Sequence, residues 1–193
     1  HSSQGTRAFL IPSSRHQTFS EMRDFKMTVN IRTWKPQDAA TLAAQANNRR
    51  VSDNLRNTFP YPYTQEDAQF FINRALRTHC DRAWVRAIEV DGTVAGGVTL
   101  DFGDDVYCKN AALGFWLGEA YWNRGIATQV VHDLCAQAFR ETPLVRIEAE
   151  VLASNPGSIR VLEKNRFQRE GYFCNRVYKH GRLTDSILFA LLK

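Results

Sequence analysis

Among the 193 residues, no apolar run approaches the roughly 18–20 that a membrane-spanning helix needs. Cysteine is sparse: Cys80, Cys108, Cys135 and Cys174 form no C-x-x-C pair and have no His at metal-ligand spacing. That excludes a zinc ribbon or a dithiol redox motif, so no metal is expected. Reduced thiols in a cytoplasmic protein are the simplest account. The run from His1 to Thr18 is polar except for Ala8-Phe9-Leu10-Ile11 and does not read as a signal peptide. Gly-x-Gly-x-x-Gly and Gly-x-x-x-x-Gly-Lys-Ser/Thr are missing, which argues against dinucleotide and nucleoside-triphosphate sites. His-Glu-x-x-His and Gly-x-Ser-x-Gly are missing too, which argues against a zincin or an α/β-hydrolase. Lys and Arg are scattered, the densest pair being Arg49-Arg50, so no basic block marks a nucleic-acid surface. The net charge of +5 suits a polyanionic small ligand and equally an ordinary solvated surface.

What is present is a patterned chain after an unpatterned start. Residues 1–26 are rich in Ser, Gln and Arg and show no sustained period; Met27 is a plausible native start, so 1–26 read as an N-terminal extension, in part an added or leader segment, and 27–193 as one domain. Val29 to Trp34 alternates as a strand. Pro36 opens a helix running to about Asn47, and a second helical piece spans about Val51 to Arg56. Phe59-Pro60-Tyr61-Pro62-Tyr63 is an aromatic loop, and Thr64 caps a helix with Ala68, Phe71, Ile72 and Leu76 on one side. Ala83–Val90 and Val94–Leu100 form a hairpin around Asp91-Gly92, and Ala112–Leu117 is a further strand. In Gly125–Arg140, Ile126, Val130, Leu134 and Ala138 recur at four-residue steps, the mark of a helix packed on a sheet. Val145, Ile147, Ala149 and Val151 form one face of a strand; Asn155–Lys164 is a short helix, and Asn165 is suited to end it in a left-handed conformation. Two strands, 171–179 and 182–192, close the chain around His180-Gly181. The order βαα(α)βββαβαββ is mixed α/β.

Two loop-to-helix junctions carry the chemistry. Tyr121-Trp122-Asn123-Arg124-Gly125-Ile126-Ala127-Thr128 puts small residues at a helix start, where bare N–H groups and the helix dipole attract an anion. Asn155-Pro156-Gly157-Ser158 opens the next helix. Together with Leu113-Gly114-Phe115-Trp116-Leu117, Val161-Leu162-Glu163-Lys164-Asn165-Arg166-Phe167 and Glu170-Gly171, in that order, they make residues 28–193 resemble a GNAT-superfamily N-acetyltransferase of the RimJ/RimL-like branch.

The resemblance implies a single-domain, mostly antiparallel mixed sheet with a V-shaped split, flanked by helices, and acetyl-CoA held in that split. Asn123, Arg124, Gly125, Ile126, Ala127 and Thr128 would offer N–H groups to the pyrophosphate, with Gly125 and Ala127 letting the backbone approach. Trp116 and Leu117 would pair with the pantetheine arm through their backbones, like an added strand, their side chains reading as core. Asn155 would hydrogen-bond the arm or cap its helix. Many such enzymes protonate the departing thiolate with a Tyr at the position that is Leu162 here; the similar branch can use a Ser at the place of Ser158. A Glu can precede that branch's central strand motif, where this chain has Ala112; Glu119, Glu148 and Glu150 are the substitutes, with Glu119 taken as the catalytic candidate beside Ser158. Phe59, Tyr61, Tyr63 and Trp84 are expected to line the acceptor side. No cysteine has a recognisable activating neighbour, so direct transfer is expected over a ping-pong route. The branch favours a protein N-terminal α-amine as acceptor, of the ribosomal-protein type. A polyamine, amino acid or aminoglycoside, or a non-catalytic acyl-CoA-binding sensor, are the alternatives. Membrane is not an expected partner, nucleic acid is disfavoured, and the C-terminal strands offer an edge for a homodimer.

Overall fold

The computed structural model describes residues 27–193, so the expected extension 1–26 lies outside the described residues. Among the described residues seven strands make one sheet in the order β1-β2-β3-β4-β5-β7-β6. β1 (Val29–Thr33), β2 (Ala83–Val90), β3 (Thr93–Phe102) and β4 (Asn110–Leu117) run antiparallel to one another in that order. So do β5 (Arg146–Leu152), β7 (Arg182–Leu192) and β6 (Gln168–Lys179). The β2–β3 hairpin turns where both Asp91 and Gly92 have positive φ, the geometry whose twist matches the flanking strands.

One parallel contact joins the two halves, and it is short. Asn110, Ala111 and Ala112 of β4 pair with Arg146, Ile147 and Glu148 of β5, and no later residue of either strand pairs with the other. Beyond that rung the strands diverge, leaving facing edges of unpaired backbone between Leu113–Leu117 and Ala149–Leu152. This is the expected split.

Helices cover the sheet unequally. α4 (Ile126–Glu141) lies on one face and buries Ile126, Val130, Val131, Leu134, Cys135 and Ala138. Each of its large aliphatic side chains contributes about 1.5–3 kcal/mol by leaving water. α5 (Pro156–Lys164) joins the same core through the buried Leu162. α1 (Ala39–Ala46) and α3 (Gln65–Arg77) cover β1–β3 on the opposite face, around Trp34, Leu42, Ile72 and Ala87, with the one-turn α2 (Arg49–Ser52) between them. Among the described residues nothing helical covers β4, β5 and β7 on this second face, and a groove of about 1640 Å³ opens there.

Several local expectations change. Thr64 does cap α3, in a reciprocal capping box with Asp67, but Leu76 is 44% exposed because α3 has turned away from the core by its last turn. Val145 precedes β5 and is 50% exposed, so only Ile147 and Ala149 reach the core fully. Asn165 keeps a negative φ, and Arg166 takes the left-handed position that ends α5. Asn165 instead donates to the carbonyls of Val161 and Thr128, tying α5 to the first turn of α4. β6 starts three residues earlier than expected, at Gln168. Among the described residues no helix is long and apolar enough to cross a membrane.

Candidate active site

The loop that enters α4 is built to hold an anion. Asn123 and Gly125 both have positive φ, 57° and 77°, bracketing Arg124. Successive N–H groups in such a turn point into one concavity, and the helix adds its own unpaired first turn. Among the described residues the N–H groups of Asn123, Arg124, Gly125, Ile126, Ala127 and Thr128 have no partner; intrachain pairing resumes at Gln129, which donates to the Gly125 carbonyl. A Cβ on Gly125 would meet nothing within 4 Å, so glycine serves the backbone conformation and keeps the concavity open.

Cations stand at this end. The Arg124 guanidinium lies 5.7 Å from the centre of the Tyr121 ring, and that of Arg50 lies 5.4 Å from the Trp122 ring. Arg160 and Lys164 of α5 also line the groove. The Trp122 indole N–H donates to the Leu117 carbonyl at 2.8 Å, fixing the turn between β4 and the loop.

At the other junction the Asn155 side chain caps α5. Its Oδ1 accepts the Ser158 N–H at 3.1 Å, and its Nδ2 donates to Ser158 Oγ at 3.0 Å. Because Oγ accepts from Asn155, the hydroxyl proton of Ser158 is left to donate elsewhere. Both residues line the groove. The same two side chains therefore cap α5 and line the groove.

Farther in, the sheet itself forms the floor. Ala112 and Gly114 of β4 are exposed there, and Asp101, Glu148 and Glu150 line the groove beside them. The α4-loop end of the groove is therefore cationic, while the sheet supplies carboxylates, with Arg56, Asp67 and Arg74 lining the groove from the loop after α2 and from α3. Phe59, Tyr63 and Trp116 form its aromatic wall: Phe59 lies 4.9 Å from Tyr63 and 5.2 Å from Trp116 between ring centres. Burial pushes the Tyr63 phenol up to about 12, so it stays protonated.

The expected site residues divide. Trp116, Leu117, the 123–128 loop, Asn155 and Ser158 come together around the split, and Phe59 and Tyr63 line the acceptor side. Trp116 does more than expected: its indole packs over Gly97, where a Cβ would sit 3.0 Å from Nε1, so its side chain belongs to the wall rather than to the core. Three placements differ from expectation. Trp84 packs edge-on against Phe102 in the α4-side core, on the opposite face from the groove. Tyr61 lies outside the groove, 52% exposed, in a smaller hollow with Arg49, Lys179 and His180. Glu119 does not line the groove: one carboxylate oxygen accepts from Asn48 Nδ2 at 2.7 Å and the other pairs with Arg50. Those two bonds tie the start of α2 to the segment after β4. Sequence reasoning passed over Asp101, although the alternation of Gly97, Thr99 and Asp101 with buried Val98 and Leu100 already places it on the face away from the α4 core.

Comparison with known proteins agrees with this geometry. The family described as "Acetyltransferase (GNAT) domain" matches residues 28–168. The chain belongs to the GNAT acetyltransferase family. It is 39% identical over 83 residues to a Bacillus licheniformis protein named "Uncharacterized N-acetyltransferase p20", a match covering 43% of this chain. It is 27% identical over 168 residues to "Putative ribosomal N-acetyltransferase YdaF" of Bacillus subtilis (strain 168), a match covering 86% of this chain. The matches span about half the length of p20 (47%) and most of YdaF (91%). Among solved structures, RimL, a ribosomal alpha-N-protein acetyltransferase in complex with coenzyme A, superposes with a TM-score of 0.78 at 21% identity, covering 86% of this GNAT chain and 94% of RimL.

Proposed function

We propose that the chain is an acetyl-CoA-dependent N-acetyltransferase that moves an acetyl group to a primary amine by direct sequential transfer, with a protein N-terminal α-amine as acceptor. The observation that carries this reading is the pairing of an open β4–β5 split with a partnerless N–H loop at its mouth. A strand-like arm fits the split, and a pyrophosphate fits the loop. When bound, acetyl-CoA supplies the activated acyl carbon. The loop from Asn123 to Thr128 holds its phosphates through N–H groups, with Arg124 and Arg50 near enough to add charge. The free edge of β4 pairs with the arm, and an N–H on that edge meets the carbonyl oxygen as it gains charge. Ser158 Oγ–H assists departure of the thiolate, whose intrinsic pKa of roughly 8–9 demands only modest help.

Two features favour the N-terminal acceptor. The names of YdaF and RimL both refer to ribosomal acetyl transfer. The groove is also long and open beyond its aromatic wall, which suits an extended peptide end. The four free cysteines are in keeping with a cytoplasmic setting. Among the described residues no cysteine lines the groove, and burial pushes the thiol of the core residue Cys135 up to about 12, which supports direct transfer.

The test is thiol release from acetyl-CoA across N-terminal peptides, polyamines, amino acids and aminoglycosides, with binding measured alongside. Release with the peptides is the expected result. Release with a small amine alone moves the acceptor class. Binding with no release on any amine points to an acyl-CoA sensor.

A further inference from the structure

An arm that pairs along the split must stop where the split closes, at the rung of Ala112 and Glu148. The floor is open at that point, for a Cβ on Gly114 would meet nothing within 4 Å. The acceptor nitrogen must meet the acyl carbon above this floor. Three carboxylates line the groove from the sheet there, and two of them are ion-paired. Glu150 accepts from Ser186 Oγ at 2.5 Å and from Arg176 at 2.9 Å. Glu148 accepts from Arg146 at 3.1 Å.

Asp101 is different. It stands directly opposite Ala112 in the β3–β4 register, so its Cβ lies about 5 Å from that methyl group. Among the described residues its carboxylate has no hydrogen-bond or ion-pair partner. Burial raises its pKa above the ordinary value, against the pull of Arg56 from the loop after α2 and Arg74 from α3. Besides those two, Asp67 of α3 and, two strands away, Glu148 line the groove with it. An ion pair favours the charged carboxylate and opposes proton uptake; Asp101 has no such pair among the described residues and stands beside Ala112, where the split closes.

We propose that Asp101 takes the proton from the acceptor's ammonium, a role that rests on the transfer reading above. One N–H proton passes to an Asp101 Oδ, and the freed lone pair forms the C–N bond at the thioester carbon. The C–S bond breaks with its electron pair on sulfur. The second proton lost as the amide forms reaches that sulfur through water or Ser158. Asp101 then returns its proton to solvent across the open groove.

The test is kcat/KM against pH for wild type, Asp101→Asn and Asp101→Glu with the best acceptor amine, with the acetyl-CoA Kd measured for each. Asp101→Asn is expected to lose about 100-fold near pH 7. The deficit shrinks as pH approaches the acceptor's own pKa, Asp101→Glu recovers part of the rate, and the Kd stays within about threefold of wild type. Equal activity of Asp101→Asn at every pH overturns the role of Asp101 alone. So does a loss that is uniform across pH or tracks weaker acetyl-CoA binding, which would mark a packing effect. Wild type that binds acetyl-CoA yet acetylates no amine overturns the transfer reading and this one with it.

Discussion

At the scale of single residues, Ser158 shows how a capping arrangement would serve the proposed chemistry. Its Oγ receives a hydrogen bond from Asn155, which orients the hydroxyl and leaves its proton available. Ser158→Ala removes that proton while the Asn155 cap still accepts the backbone N–H of residue 158. Turnover should fall about tenfold, below the full span of acid catalysis because a thiolate is a tolerable leaving group. Acetyl-CoA affinity should be nearly unchanged, and steady-state kinetics with parallel binding measurements check both. This pair was legible in the sequence because three positions separate its members. The Arg50–Trp122 stack and the hold of Asn48 and Arg50 on Glu119 were not, because about 70 residues separate the partners and only tertiary packing brings them together. An acidic residue just past a strand end reads the same in sequence whether it faces a substrate or a nearby arginine.

At the scale of elements, the first strand and helix are joined by charge. Arg32 of β1 grips Asp38, which immediately precedes α1, through two nitrogens at 2.8 and 3.0 Å, and reaches Glu89 of β2 at 2.6 Å. Burial by itself would lift the Asp38 carboxyl; the Arg32 hydrogen bonds, the Lys35 N–H and the Arg32 charge outweigh it and hold the group below its usual value. A carboxylate held low in the folded state stabilises that state above its unfolded pKa, about 4. The contribution drains away as pH falls through the lower, folded value. Asp38→Asn should therefore cost about 2–3 kcal/mol at pH 7, a Tm drop of roughly 4–12 °C for a chain of this size. Melts at falling pH should show the gap between variant and wild type closing below about pH 4. Elements themselves were well marked in the sequence wherever apolar spacing was one-sided, as in α4. The face of Trp84 was not, because β2 is buried on both sides and its run Ala83–Val90 offers no polar alternation to orient it.

At the scale of the whole molecule, two half-sheets meet through three residue pairs, while their outer strands pair over much longer stretches. A ligand that pairs with both edges of the split adds backbone contacts where the sheet has fewest. At a coenzyme A concentration 100 times its Kd, the folded state should gain about 2.7 kcal/mol, which raises Tm by roughly 5–11 °C. Differential scanning measurements with coenzyme A check the size. Amide exchange should slow between Leu113 and Leu117 and between Ala149 and Leu152. The family-wide order of elements made the split foreseeable. The meeting of a cationic mouth with a floor that carries carboxylates was hidden, because it draws on β3, β5, α2 and α5 together.

The strand order also sets a timetable. β7 lies between β5 and β6, although β6 is synthesised first. While a ribosome adds the 40 residues from Ala153 to Leu192, β5 has no neighbour on one side and β6 has none on which to dock. At about 5–20 residues per second that interval lasts roughly 2–8 s. For those seconds the nascent chain carries the exposed edge of β5, so the far wall of the groove is assembled by the strand that is translated last among the seven.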